Sequence, residues 1–232
     1  MEKVLLIGIG AGDPSYVTVQ AVEALNTVDV FFVLEKAAEQ DDLVALRREI
    51  VDRYVKRSFR MVVADDPPRG RDVEAWREER AALVASLIAE ESGVGAFLVW
   101  GDPSLYDGMI DILERLGVPY EVIPGISAVS ALAARHRVVL NRVAGDVLIT
   151  TGRRVAAGLP DGARDVVVML DSGVAFTKLD GDWEIYWGAY LGTSDEILIS
   201  GRLSEVADEI VRVRADARAR KGWMFDTYLL RR

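Results

Sequence analysis

The chain twice sets glycines beside an aspartate and a proline. The first run carries Gly8, Gly10, Gly12, Asp13 and Pro14, and the second reads Trp100, Gly101, Asp102, Pro103, Ser104, Leu105, Tyr106, Asp107. Each follows a short apolar stretch that reads as a strand. Glycine at a strand end lets the backbone turn sharply and approach a ligand with no side chain between them, so the pair predicts a small-molecule site built mainly of main chain. Either run alone also reads as an ordinary Gly-Asp-Pro turn. Gly8, Gly10 and Gly12 begin like a dinucleotide fingerprint, but Asp13 stands where its third glycine belongs, and no Gly-Lys-Ser or Gly-Lys-Thr completes a P-loop. Asp13 and Asp102 would repel a pyrophosphate and suit a cationic or amine-bearing ligand.

A second group is basic: Arg135, His136, Arg137, Asn141 and Arg142, followed by Arg153 and Arg154. It reads either as solvated helix ends and loop surface or as the wall of a pocket for a multiply anionic small molecule. The chain as a whole is acidic, with a net charge of −9 over 232 residues, which argues against a nucleic-acid partner. There is no cysteine and only a single histidine, so disulfides, cysteine nucleophiles and multi-histidine metal sites are excluded and no metal is expected. Half the residues are hydrophobic, enough for a sizeable core in one large domain or two small ones. The N-terminus does not read as a signal peptide and no apolar run reaches membrane-spanning length, so the expected location is the cytoplasm.

The elements that must position these groups alternate strand and helix through the first half. Strands are expected at 4–9, 29–34, 60–64 and 96–100, and helices at 18–25 and 43–54. A further helix has Trp76, Leu83, Leu87 and Ile88 on its inner side, and another runs along Leu105, Met109, Ile112, Leu113 and Leu116. This predicts an α/β fold whose mostly parallel sheet is covered on both sides and binds ligands at the carboxyl ends of its strands, where both glycine runs lie. The pattern changes near Gly117, so domains are expected over 1–117 and 118–232. In the second, an Ala-rich helix ends near Arg135, and apolar runs at 147–150, 166–170, 185–190, 197–200 and 224–230 predict a mixed sheet. One amphipathic helix interrupts them, with Val206, Ile210, Val213 and Ala217 on its inner face and solvated arginines outside.

Taken in order, Gly8 to Pro14, Gly101 to Tyr106, the Pro-Gly-Ile-Ser-Ala run at Pro124 to Ala128, the Thr-Thr-Gly-Arg run at Thr150, and the Val-Val-Met-Leu run at Val167 resemble the tetrapyrrole methylase family over the whole chain. The resemblance implies a two-domain homodimer with the cofactor cleft between its domains, using S-adenosylmethionine to methylate a precorrin or related ring. Segments 29–36, 97–107, 134–142, 185–196 and 219–232 are similar to a deacylating branch of that family. That implies methylation of precorrin-5 at C-1 with release of acetate, to give precorrin-6A. The family pattern carries cofactor contacts onto Gly101, Asp102, Leu105, Tyr106, Ser127, Ala128, Met169, Tyr190 and Thr227, many of them through backbone groups. It carries ring contacts onto Gly10, Asp13, Arg135, Asn141 and Arg153. Ala11 replaces a proline usual in the family's first loop, which keeps the turn and removes a rigidifying residue.

Methyl transfer from a sulfonium needs positioning and exclusion of water more than an activated nucleophile. Deacylation asks in addition for a base. The resemblance implies that Glu35, at the end of the second strand, faces the substrate, which makes it the candidate base or proton shuttle, against an ion pair with Lys36 or a solvated strand end. His136 has the better intrinsic pKa for proton transfer, set against a packing or surface role between two arginines. Rival readings are methylation at another precorrin position, an RNA or diphthamide-precursor methylase, and a non-catalytic adenosyl-ligand binding module.

Overall fold

A computed structural model describes residues 1–35, 41–68, 70 and 72–232, without the side chains of residues 41–43. The chain divides into two compact units, Met1–Ser127 and Ala128–Arg232.

In the first unit, β1 (Lys3–Gly8), α1 (Val19–Leu25), β2 (Val30–Glu35), α2 (Asp41–Tyr54), β3 (Arg60–Asp65), α3 (Val73–Ala89), β4 (Val94–Val99), α4 (Met109–Leu116) and β5 (Tyr120–Ile123) follow one another. The strands form an all-parallel sheet in the order β3-β2-β4-β1-β5. Period-two alternation gives each central strand two apolar faces. Leu5, Ile7 and Ile9 pack with Ala21, Leu25 and Ile50 on one side. Val4 and Leu6 pack with Val84, Leu87 and Leu113 on the other. Each of the valine, leucine and isoleucine side chains, moved fully out of water, contributes roughly 1.5–3 kcal/mol.

Helix limits follow from capping. Thr18 accepts the Ala21 amide at 3.0 Å to start α1, Asp72 accepts the Glu74 and Ala75 amides to start α3, and Gly117, at φ 65°, ends α4. The helix expected from Leu105 begins only at Met109, whose amide is capped by Asp107 at 2.8 Å, so Leu105 belongs to the preceding loop. Trp76 is only partly buried, its indole N–H reaching the Pro67 carbonyl at 3.0 Å. The boundary expected at Gly117 also moves. β5 pairs with β1 through Val4–Tyr120 to Ile7–Ile123, which keeps it in the first sheet.

The second unit runs α5 (Ala128–His136), β6 (Val147–Thr151), α6 (Gly152–Ala156), β7 (Asp165–Met169), β8 (Glu184–Ala189), β9 (Ile197–Arg202), α7 (Leu203–Lys221) and β10 (Asp226–Arg231). Its sheet has the order β6-β7-β10-β8-β9, parallel between β6 and β7 and antiparallel elsewhere, as the sequence led us to expect. The arginines of α7 are not all solvated. Arg214 is buried, donating to Asp226 at 2.8 Å and to the Asp171 carbonyl at 2.6 Å. No helix among the described residues is long and apolar enough to cross a membrane.

Candidate active site

In the first unit the glycine runs meet at the carboxyl ends of the central strands. Gly10 and Gly101 exchange backbone hydrogen bonds, Gly101 N–H to Gly10 O at 2.8 Å and Gly10 N–H to Gly101 O at 3.3 Å. Gly125, just past β5, joins them. A Cβ on Gly125 would lie 2.1 Å from the Gly101 carbonyl, and one on Gly8 would lie 2.6 Å from the Gly125 nitrogen. Three chain segments therefore cross at a spacing that only glycine permits. The sequence reading used Gly125 only as the opening of a helix; its position straight after a strand was the available signal.

Each loop aspartate accepts hydrogen bonds within its own turn. Asp13 accepts the amide and hydroxyl of Ser15 at 2.8 and 2.7 Å. Asp102 accepts the Ser104 amide at 2.9 Å, the Ser104 hydroxyl, and the Gly125 amide at 2.9 Å. Burial pushes the Asp102 carboxyl up, but these hydrogen bonds outweigh it and hold the group below its ordinary value. Leu105 donates its amide to the Asp102 carbonyl at 3.1 Å. Tyr106 follows at φ 57°, a left-handed conformation that a tyrosine adopts only when its surroundings impose it, and its phenol is 47% exposed as a residue. Ser127 ends this unit and Ala128 opens α5.

Glu35 ends β2, half-buried, with its carbonyl accepting the Asp66 amide at 2.7 Å. Lys36, its alternative partner, lies outside the described residues. Nearby is a cation that sequence reasoning passed over. Arg47 of α2 stands over the Trp100 ring at 5.1 Å. Burial lowers its guanidinium to about 10, while the charges of Asp107 and Glu35 pull upward.

In the second unit, three of the expected cofactor residues come to one edge of the sheet. Met169 at the end of β7 pairs with Thr227 at the start of β10, and Thr227 pairs with Gly188 at the end of β8. Tyr190 lies two residues beyond, its amide bonded to the Phe225 carbonyl at 2.9 Å. The Tyr190 side chain is buried, with its hydroxyl on the Trp223 carbonyl at 2.7 Å, so it presents backbone at φ 49° to this edge. Leu170, which the sequence reading did not single out, is 59% exposed at φ 54° directly after Met169. Asp171 fixes that turn, accepting the Gly173 and Ala175 amides and the Tyr228 hydroxyl.

The basic group separates on inspection. Arg135 forks onto Glu196, with Nε at 2.7 Å, and Glu196 in turn accepts the Gly192 amide at 2.9 Å. Arg142 faces Asp165 at 3.3 Å and donates to the Arg232 carbonyl at 2.8 Å. Asn141 is exposed and donates to the Arg142 carbonyl at 3.1 Å. Arg153 and Arg154 are exposed on α6 and make no ion pair among the described residues. His136 sits at the end of α5, with Nε2 3.0 Å from the Trp187 carbonyl and its ring edge-on to Tyr186 at 5.6 Å. Burial lowers its pKa, against the opposing pull of that carbonyl and of Glu196. No group of three or more metal-ligating side chains occurs among the described residues.

A parallel sheet with glycine-built loops at its carboxyl edge is followed along the chain by a mixed sheet with strained turns at one edge. The sequence profile of Tetrapyrrole (Corrin/Porphyrin) Methylases matches residues 3–207, and the chain belongs to that family. It is 47% identical to a Sinorhizobium protein called precorrin-6A synthase [deacetylating], over 100% of this chain and 96% of the relative. Among solved structures, a cobalamin-synthesis-related protein (CobF) from Corynebacterium diphtheriae superposes with a TM-score of 0.85 at 36% identity, covering 100% of this chain and 99% of the other. The uroporphyrin-III C-methyltransferase of Thermus thermophilus, in complex with S-adenosylhomocysteine, shares the fold at a TM-score of 0.65 and 22% identity, covering 98% of this chain and 96% of that one.

Proposed function

We propose that this protein methylates precorrin-5 at C-1 and releases the ring's acetyl group as acetate, giving precorrin-6A in cobalamin biosynthesis. The observation that carries this reading is similarity across the full length to a deacetylating precorrin-6A synthase, joined to an intact glycine crossing. When bound, S-adenosylmethionine supplies a sulfonium methyl that passes in line to a ring carbon and leaves a neutral thioether.

The residues present fit such a ligand. The crossing leaves no room for a Cβ on Gly8 or Gly125 and so presents bare main chain, while Tyr106 in the second loop, and Leu170 and Tyr190 just past their strands, hold strained backbone. We assign cofactor binding to Gly101, Asp102, Leu105, Tyr106 and Ser127 of the first unit and to Ala128, Met169, Tyr190 and Thr227 of the second. Asp102 contributes by fixing the Gly125 and Ser104 amides rather than by offering a bare charge.

Gly10, Asp13, Arg135, Asn141 and Arg153 are assigned to the ring. Arg153 is the stronger of the two arginines, because Arg135 is already neutralised by Glu196. In deacylation, Glu35 takes a proton from the water that attacks the acetyl carbonyl; the carbon–carbon bond breaks, its electron pair enters the ring, and acetate departs. His136 is the second candidate for that proton. The reading includes a homodimer in the cytoplasm working without a metal; sedimentation and metal analysis of the purified protein test those parts. The position of methylation is tested by NMR of the product made with carbon-13-labelled cofactor. A labelled methyl at C-1 is expected, and a label at any other ring carbon rejects this assignment.

A further inference from the structure

Arg47 and Trp100 stand out against three other arginines of the first unit. Arg57 pairs with Asp29 at 2.6 Å, Arg60 with Glu91 at 2.8 Å and Arg80 with Asp66 at 2.9 Å. Arg47 is half-buried, yet no carboxylate among the described residues lies within ion-pair distance of it. Its guanidinium stands over the Trp100 ring face, 5.1 Å from the centroid. The indole N–H of Trp100 is itself buried with no hydrogen-bond partner among the described residues. A withdrawn guanidinium and an unmet N–H on the ring beneath it each cost free energy unless an acceptor meets them.

Their place in the fold says what arrives. Trp100 stands between β4 and the Gly101–Asp107 loop, and Arg47 reaches the same carboxyl edge from α2, where ligands of parallel sheets bind. We infer that Arg47 and the Trp100 N–H together dock a carboxylate of the ring substrate, an anchor distinct from the arginines of the second unit. This rests on the ring-methylase reading above.

The surrounding charges narrow the ligand. Asp107 and Glu35 act on Arg47 electrostatically without hydrogen-bonding it, and Asp107 is already engaged by the Met109 amide. With two acids against one guanidinium, a phosphate dianion is disfavoured. A singly charged carboxylate gripped by the planar fork is accommodated. The carboxylate has two possible owners, the ring or the methionine part of the cofactor, and we assign it to the ring.

The test is equilibrium binding to the full chain of uroporphyrin III, a stable carboxylate-bearing tetrapyrrole, followed by the ring's fluorescence, with S-adenosylhomocysteine measured in parallel by calorimetry. Arg47→Gln should weaken the ring about tenfold or more, Arg47→Lys less, because charge remains without the fork, and Trp100→Phe about threefold. S-adenosylhomocysteine affinity should stay within about twofold in all three. The inference is overturned if ring affinity is unchanged, if both ligands weaken equally, if only the adenosyl ligand weakens, or if the wild type binds no ring at all. Should Arg47→Gln fail to fold, Arg47→Lys and Trp100→Phe decide the matter. These arms use no turnover, so failure of the wild type to methylate precorrin-5 counts against the functional reading alone.

Discussion

The Gly125 amide donates to Asp102 Oδ2 at 2.9 Å, tying the chain after β5 to the loop after β4. Gly125 also lies against Gly8 and the Gly101 carbonyl, so this contact joins the three segments of the crossing.

Gly125→Ala should therefore disrupt the crossing. A Cβ 2.1 Å from a carbonyl oxygen forces backbone to move, and overpacking of this kind costs about 1–3 kcal/mol or more. Asp102→Ala leaves the Gly125 amide without its acceptor and should weaken S-adenosylhomocysteine about tenfold or more, with the fold retained. Calorimetry with thermal unfolding checks both, and wild-type affinity in either variant contradicts the assignment.

Arg135→Ala and Arg153→Ala should differ. Arg153 is exposed and unpaired among the described residues, so its loss should raise the KM for the ring about tenfold and leave that for the cofactor unchanged. Arg135 holds Glu196, which holds the Gly192 amide beside Tyr190, so its loss should affect the cofactor as well. Steady-state kinetics with each substrate varied separates them; identical patterns would reject the distinction.

Arg214→Met removes one partner of a buried ion pair. Asp226, which burial pushes up and Arg214 and Trp187 pull down, would be left uncompensated, a loss of about 3–5 kcal/mol. Urea unfolding measures it, and a loss under about 1 kcal/mol would mean that the pair is relieved by some other contact.

His136 titrates below its ordinary value of 6.5 in the folded protein because burial disfavours its charged form. The unfolded chain then binds more protons just below that pH, so this group's stabilising contribution is present above 6.5 and is lost as pH falls through the folded value. His136→Gln keeps a donor for the Trp187 carbonyl and does not titrate. Wild type should lose stability relative to it on acidification, and parallel pH profiles from thermal unfolding would contradict this.

Much of the fold was legible because period-two apolar strands alternate with capped helices, as Leu5 and Ile7 against Val4 and Leu6 illustrate. Pairing partners were less so. Nothing in Tyr120 to Ile123 says that β1 is its neighbour, and the domain boundary was misplaced for that reason. The glycine loops were readable as motifs, whereas Met169 and Thr227 were singled out only through the family resemblance and their pairing was not read. Arg47 was not readable, since an arginine in an amphipathic helix gives no sequence signal that it lies over a tryptophan fifty-three positions on. The partner of Arg135 was hidden in the same way, because Glu196 is distant in sequence.

On this reading one active site couples methyl transfer to deacylation. Precorrin-5 incubated with methyl-labelled S-adenosylmethionine, quenched and analysed by mass spectrometry, should yield a labelled ring lacking the acetyl group, with acetate and S-adenosylhomocysteine formed in equal amounts. Glu35→Gln should still label the ring while acetate release slows about a hundredfold, so that the acetylated, methylated ring accumulates. Acetate and thioether appearing together at wild-type rates in that variant would remove Glu35 from the mechanism. A wild-type product that carries the label and keeps its acetyl group, or no labelled ring at all, would contradict the account.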